Sequence, residues 1–307
     1  MNRPAAGSVV YCNDSLTVMA EHVTVIIVNY NAGEYLGRCI ESLLSSDIPI
    51  SIIVVDNASH DQSINQVMHL AAGDSRIKTL INSENLGYSK ACNQGLKLVN
   101  SDYVCFINPD CEVHTDTMRH LVAALKHNAN AALAGGWVTN PDGSTQRATW
   151  RRLPDARNSF FEFSGLGGRA GKTQAVDLSH REKPRETIAV EAVSGACMMF
   201  RHDQLRQLHG FDEAYFLHCE DLDLMQQISM RGWQVLLVPE ASIMHHQGIS
   251  SGDHPSEVLR HKHRGMACYY RKFHAENASF FTNIAVYAGI YFHLLFSLLK
   301  QRMGRHS

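Results

Sequence analysis

The chain has 307 residues, with 28 Lys and Arg against 30 Asp and Glu, for a net charge of −2. Apolar residues make up 45% and charged residues 19%, which is enough for a sizeable core but lacks the basic surplus of a nucleic-acid binder, so no nucleic acid is expected as a partner. Eight cysteines (12, 39, 92, 105, 111, 197, 219 and 268) form no CxxC pair and several fall in apolar runs, which argues for reduced thiols in a cytosolic protein and against a disulfide framework.

Residues 1–22 carry one early Arg and no long apolar run, and read as a flexible leader, not a secretory signal. Val23 to Val28 is a β-branched run of the kind that forms a strand buried on both faces. Apolar positions 36, 40, 43 and 44 then follow a helical spacing. A second buried strand, Ser51 to Val55, ends in Asp56-Asn57-Ala58-Ser59; a helix over 61–72, a strand over Ile77 to Ile81 and a helix from Ser89 to Val99 come next. Tyr103 to Ile107 is a fourth strand, ending in Asn108-Pro109-Asp110. Strand alternating with helix predicts an α/β fold with a doubly wound, mostly parallel sheet. In such sheets ligands bind outside the carboxyl ends of the strands, so the polar clusters at 29–31, 56–59 and 108–110 are expected to converge.

After Leu133 to Trp137 the pattern weakens. Residues 144–186 are rich in Gly and Arg, hold nine Lys and Arg against five acids, and read as a mobile lid over the site. Pattern returns at Ile188 and continues through a Met/Phe-rich strand, Cys197 to Arg201, to an acidic run with Glu220, Asp221 and Asp223. A further short strand is expected at Val235 to Val238. From Glu257 to Ser307 the chain has eight Lys and Arg against two acids, and Phe280 to Leu299 is mostly apolar and rich in Tyr and Phe. This C-terminal segment, 276–307, admits three readings: a helix packed in the core, a helix attached peripherally to an anionic membrane face, and a membrane span.

Each candidate site residue has an ordinary structural alternative. Asp56 can accept from a nucleotide base N–H or cap the next helix. Asn85 and Gly87 form a turn before a helix, where backbone N–H groups meet diphosphate or ribose, or simply a Gly-bearing loop. Asp110, held by Pro109, is a hard oxygen ligand for Mg²⁺ or Mn²⁺, or part of a Pro-Asp turn; His245 offers an imidazole to complete the shell. The acidic run either charges a helix N-terminus or holds a proton or cation. No GxGxxG follows the first strand, which excludes a dinucleotide-binding dehydrogenase.

VIIVNYN (25–31), VVDNASHD (54–61), NLGYSKACNQG (85–95), FINPD (106–110), Ser194-Gly195-Ala196, GFDEAYFLHCEDLD (210–223) and HHQGISS (245–251) occur in that order. Together they resemble family 2 glycosyltransferases of the GT-A fold, in the bacterial rhamnosyltransferase-like branch, over residues 23–275. The resemblance implies an inverting glycosyltransferase that uses a nucleoside-diphosphate sugar, with dTDP-rhamnose as one donor, and a saccharide or lipid-linked acceptor in cell-surface polysaccharide synthesis. It places Asn29, Asn31, Asp56, Asn85, Gly87 and Asn108 on the donor, Trp137, Gly195 and Ala196 on the acceptor, and Mg²⁺ or Mn²⁺ on Asp110 and His245. Asp221 would be the catalytic base, with Glu220 able to share that role. Asn108 stands where the family's DxD element has its first Asp, and Tyr270-Arg271-Lys272 matches a basic signature that would read phosphate. A protein at the inner face of the plasma membrane is implied. The alternative is a non-catalytic nucleotide-sugar-binding protein of the same fold.

Overall fold

The computed structural model describes residues 21–155, 176–248 and 255–304. Strands β1 (Val23–Asn29), β2 (Ile50–Asp56) and β4 (Tyr103–Ile107) lie side by side, with β3 (Ile77–Ile81) at the edge, all four parallel. Their lack of polar alternation has a simple cause, because both faces are covered. Val25, Ile27, Ile52 and Val54 face one core, with Leu36, Ile40 and Leu43 of α1 (Tyr35–Leu44) and Leu121 and Leu125 of α4 (Thr117–His127). Ile26, Val28, Ile53 and Val55 face a second core, with Ala91 and Cys92 of α3 (Tyr88–Leu96). On the first side, α2 (Ser63–Gly73) adds Val67.

The sheet continues through β10 (Cys197–Arg201), β6 (Ala131–Thr139), β11 (Gln234–His245) and β5 (Cys111–Val113), in the order β3-β2-β1-β4-β10-β6-β11-β5. β10 runs antiparallel between β4 and β6, while β6 and β11 are parallel to each other. β8 (Ile188–Val190) pairs antiparallel with the start of β11, and the short expected strand at 235–238 is therefore the first third of a longer, bulged one. Helices α5 (His202–Gln207) and α6 (Glu220–Met230) cover the second core through Leu205, Leu224, Met225 and Ile228.

This architecture bears on two of the readings made from the sequence. The flanks of the segment read as a lid are built into the fold: Gln146, Thr149 and Leu178 are buried, and β7 (Trp150–Arg151) pairs antiparallel with β9 (Ala192–Val193). Residues 156–175 of that segment, like 1–20 of the leader, lie outside the described residues. The C-terminal segment is not a core helix. Helix α8 (Phe280–Gly304) docks on α7 (Pro255–Phe273) through His293 against His263, Tyr287 against Tyr270, and Gln301 against Ser256. Ile290 is buried as well, but much of the remaining apolar surface is uncovered, with Phe281 80%, Phe292 72% and Phe296 59% exposed.

Candidate active site

The carboxyl ends of β1 and β2 bring their polar residues together, and β4, β1's other neighbour, ends on the same edge. Asn29 and Asp56 are register partners, both buried, and Asn29 Nδ2 donates to Asp56 Oδ1 at 2.7 Å and to Ser63 Oγ at 2.8 Å. Asp56 Oδ2 accepts the Ser59 backbone N–H, so the carboxylate is aimed from two sides while keeping lone pairs for a ligand. Asn31 adopts a left-handed φ of 53° and ties the neighbouring loop by accepting the His60 N–H.

Asn85 and Gly87 are positioned by a residue that sequence reasoning did not single out. Asn57 donates to Asn85 Oδ1 and Gly87 O, and its own Oδ1 accepts from Asn82 and from the Leu86 N–H. Gly87 has a φ of +85°, and a Cβ there would fall 2.7 Å from the Phe216 ring and 2.8 Å from its carbonyl oxygen. Only glycine allows both the backbone conformation and the approach. The Tyr88 N–H donates to that same Phe216 carbonyl, so the 85–87 turn is fastened to the loop that carries the acidic run.

Beside them, Asp110 and His245 meet, although they lie far apart in the chain. Asp110 Oδ1 is 3.1 Å from His245 Nε2, and Asn108 Nδ2 is 3.4 Å from the same nitrogen. The other ring nitrogen sets the tautomer. Gln146 Nε2 donates to Asn140 Oδ1 and His245 O, which turns its Oε1 toward His245 Nδ1 at 2.6 Å. Nδ1 therefore donates to Gln146, and Nε2 is the nitrogen that faces the carboxylate. Two acceptors at that distance require a proton or a cation between them. Cys111 is the third potential ligand of this group. Its thiol donates to the Ala196 carbonyl, and burial pushes it well above its usual value, so it stays protonated. The remaining oxygen and nitrogen donors suit Mg²⁺ or Mn²⁺ better than a soft metal.

The acidic run opens α6 through two successive left-handed residues, His218 and Cys219, both at φ 71°. Such backbone is costly for side-chain-bearing residues and tends to mark functional turns. It is held from outside by α7, whose His261 ring stacks on Phe216 at 4.2 Å. Burial pushes the His218 imidazole down to about 4, which keeps it neutral beside the acids. The three carboxylates then separate by environment. Asp223 is fully buried, accepts from Lys272, and is structural. Glu220 is buried, and desolvation with the adjacent Asp221 charge raises it above the usual carboxylate range. Asp221 is part-exposed, with Oδ2 at 2.5 Å from Arg151 Nη2.

One assignment is corrected here. Trp137 is 3% exposed and packed in the second core, so it presents almost no surface to an acceptor. Lys272, in the basic Tyr270-Arg271-Lys272 signature, is engaged by Asp212 as well as Asp223. Gly195 and Ala196 do stand at the site: a Cβ on Gly195 would lie 3.0 Å from Asp221 Oδ2, and Ala196 O accepts the Asn108 N–H. On the far side of β7 lies a cavity of about 390 Å³ whose lining includes Trp150, Arg151, Arg152, Arg181 and Trp233.

The chain matches the family model described as glycosyl transferase family 2 over residues 24–208. It is similar to an N-acetylglucosaminyl-diphospho-decaprenol L-rhamnosyltransferase of Mycobacterium tuberculosis, 27% identical over 80% of this chain and 83% of the relative. It is also similar to the rhamnosyltransferase WbbL of Escherichia coli, 24% identical over 73% of this chain and 83% of that one. Among solved structures, a mannosyltransferase from Pyrobaculum calidifontis, in complex with GDP-mannose and Mn²⁺, superposes with a TM-score of 0.56 at 14% identity, covering 93% of this chain and 75% of that one. GalNAc-T7, solved with UDP, GalNAc and Mn²⁺, also gives 0.56, at 16% identity, covering 74% of this chain but only 44% of its own length.

Proposed function

Because this chain belongs to glycosyl transferase family 2 and has the GT-A fold, we propose that it transfers a sugar, L-rhamnose first among the candidates, from a nucleoside-diphosphate donor to a lipid-linked saccharide, with inversion. The observation that carries this reading is the meeting of Asp110 and His245 at the sheet's carboxyl edge, a place suited to an anionic donor. The curated relatives, both named as rhamnosyltransferases, one of them for a diphospho-decaprenol acceptor, favour the sugar and the acceptor class.

Asp56 would accept from the nucleobase, and the 85–87 turn, pinned by Asn57, would lie along the diphosphate. Asp110 and His245 would hold the divalent cation, with Asn108 beside them; when bound, such an ion neutralises charge developing on the departing diphosphate. Asp221 would take the proton from the acceptor hydroxyl as its oxygen forms a bond to the anomeric carbon and the bond to the diphosphate breaks. Glu220, raised by burial, holds its proton more tightly and suits the base role less. The test is a panel of dTDP-rhamnose and UDP-, GDP- and dTDP-hexoses, assayed for binding and transfer with Mg²⁺ and Mn²⁺. Turnover is expected with one donor; binding without transfer to any lipid-linked acceptor would favour the non-catalytic reading.

The exposed apolar face of α8, followed by Lys300, Arg302 and Arg305, supports peripheral attachment at the inner face of the plasma membrane, where a lipid-linked acceptor resides. The full chain is expected to co-sediment with anionic vesicles at low salt and to be released at high salt, while a chain ending near Asn277 stays in the supernatant. Salt-resistant sedimentation would instead mark a span, because screening weakens charge attraction and not a buried helix.

A further inference from the structure

The proposed base does not stand alone. Arg151 Nη2 donates to Asp221 Oδ2 at 2.5 Å and also to Val193 O, while Arg151 Nε donates to Val193 O at 3.2 Å. Both side chains of the ion pair are 14% exposed. The guanidinium is thus fastened to the main chain of β9 independently of the carboxylate, and β7 and β9 are themselves paired, with Arg151 opposite Ala192. On its other side Asp221 Oδ2 is closed off by the bare face of Gly195. Oδ1 has no hydrogen-bond partner among the described residues, which leaves it as the oxygen available to a ligand.

We propose that Arg151 is the positioning residue of the base, an assignment that rests on Asp221 being that base. Arg151, itself anchored on the Val193 carbonyl, holds the carboxylate by Oδ2 so that Oδ1 is presented to the acceptor hydroxyl. A bare charge serves this role less well than the planar fork, because the fork grips carbonyl and carboxylate together in one plane. The same side chain lines the cavity behind β7, so an occupant there would bear on the base through Arg151.

The test is a cycle of R151Q and R151K in the wild-type and D221N chains, read as transfer rate and donor affinity under single-turnover conditions. R151Q is expected to lower transfer about 100-fold, the scale of losing orientation at a reacting group, with donor affinity little changed. R151K should recover part of that loss by restoring charge without the fork. In the D221N background the same R151Q change should cost no more than a few-fold, because an amide that takes no proton leaves Arg151 no base to orient. An equal loss in both backgrounds would mean that Arg151 merely supports the fold, and the positioning role would be overturned. Near-normal transfer by R151Q would overturn it as well. Absence of transfer by the wild-type chain with every donor would instead remove the proposed function itself.

Discussion

Asp221→Asn is expected to leave donor binding intact and to lower sugar transfer by about 10²–10⁴-fold, the usual share of a positioned general base. The substitution keeps the shape of the side chain, and its amide oxygen can still face Arg151 Nη2, so the ion-pair geometry survives as a hydrogen bond. What is lost is the capacity to take a proton. Glu220→Gln is the companion. Because burial already favours the protonated form of Glu220, its neutral isostere should transfer at a rate within a few-fold of the wild type. Near-normal transfer by the Asp221 variant, with a collapse in the Glu220 variant, would exchange the two roles. Rate and donor affinity, measured separately, decide the matter.

The second large effect concerns the cation. Asp110→Asn should fold normally, since an amide N–H can donate to the His245 Nε2 that the carboxylate now faces. It should nevertheless lose metal-dependent donor binding, because a neutral amide is a much poorer ligand for a hard divalent ion. A catalytic cation contributes several kcal/mol of charge stabilisation. At about 1.4 kcal/mol per tenfold, transfer should fall on the order of 10²–10⁴-fold. Asp110→Ala should be at least as inactive. Full wild-type activity in chelator would remove the cation from the scheme, and an active Asp110 variant would remove this residue from it.

The parts of this molecule that were legible in its sequence are those whose cause is local. β1, β2 and β4 are visible because a strand covered on both faces must be apolar at successive positions, and their polar ends are visible because the sheet stops there. Asp56 and Asp110 were singled out in that way, and Asp221 by the density of the acidic run it belongs to, each assisted by the ordered motifs. Gln146 and Arg151 were not. Each acts through a contact made across the fold, Gln146 on His245 and Arg151 on Asp221, and neither lies in a periodic segment that would draw attention to it. Trp137 misled for the opposite reason, since the resemblance placed it on the acceptor while its ring is packed in the core. Helix α8 was ambiguous because its composition is apolar on every side. A pattern of that kind reports how much surface avoids water and leaves open what covers it.

The placement of β10 has a consequence for how the chain reaches its native state. β10 is the antiparallel partner of both β4 and β6, yet it is made after both of them, across a connection from Ile107 to Cys197. Until Cys197–Arg201 has emerged and inserted, one side of β4 is an unpaired edge of Tyr103, Val104, Cys105, Phe106 and Ile107. Such an edge is a template for pairing with another chain, and closing so distant a contact is slow compared with forming the β1–β2 neighbourhood. Chains truncated between β7 and β10 should therefore aggregate during synthesis even though the first four strands are complete, and soluble fragments of this protein should begin to appear only when the terminus is moved past Arg201.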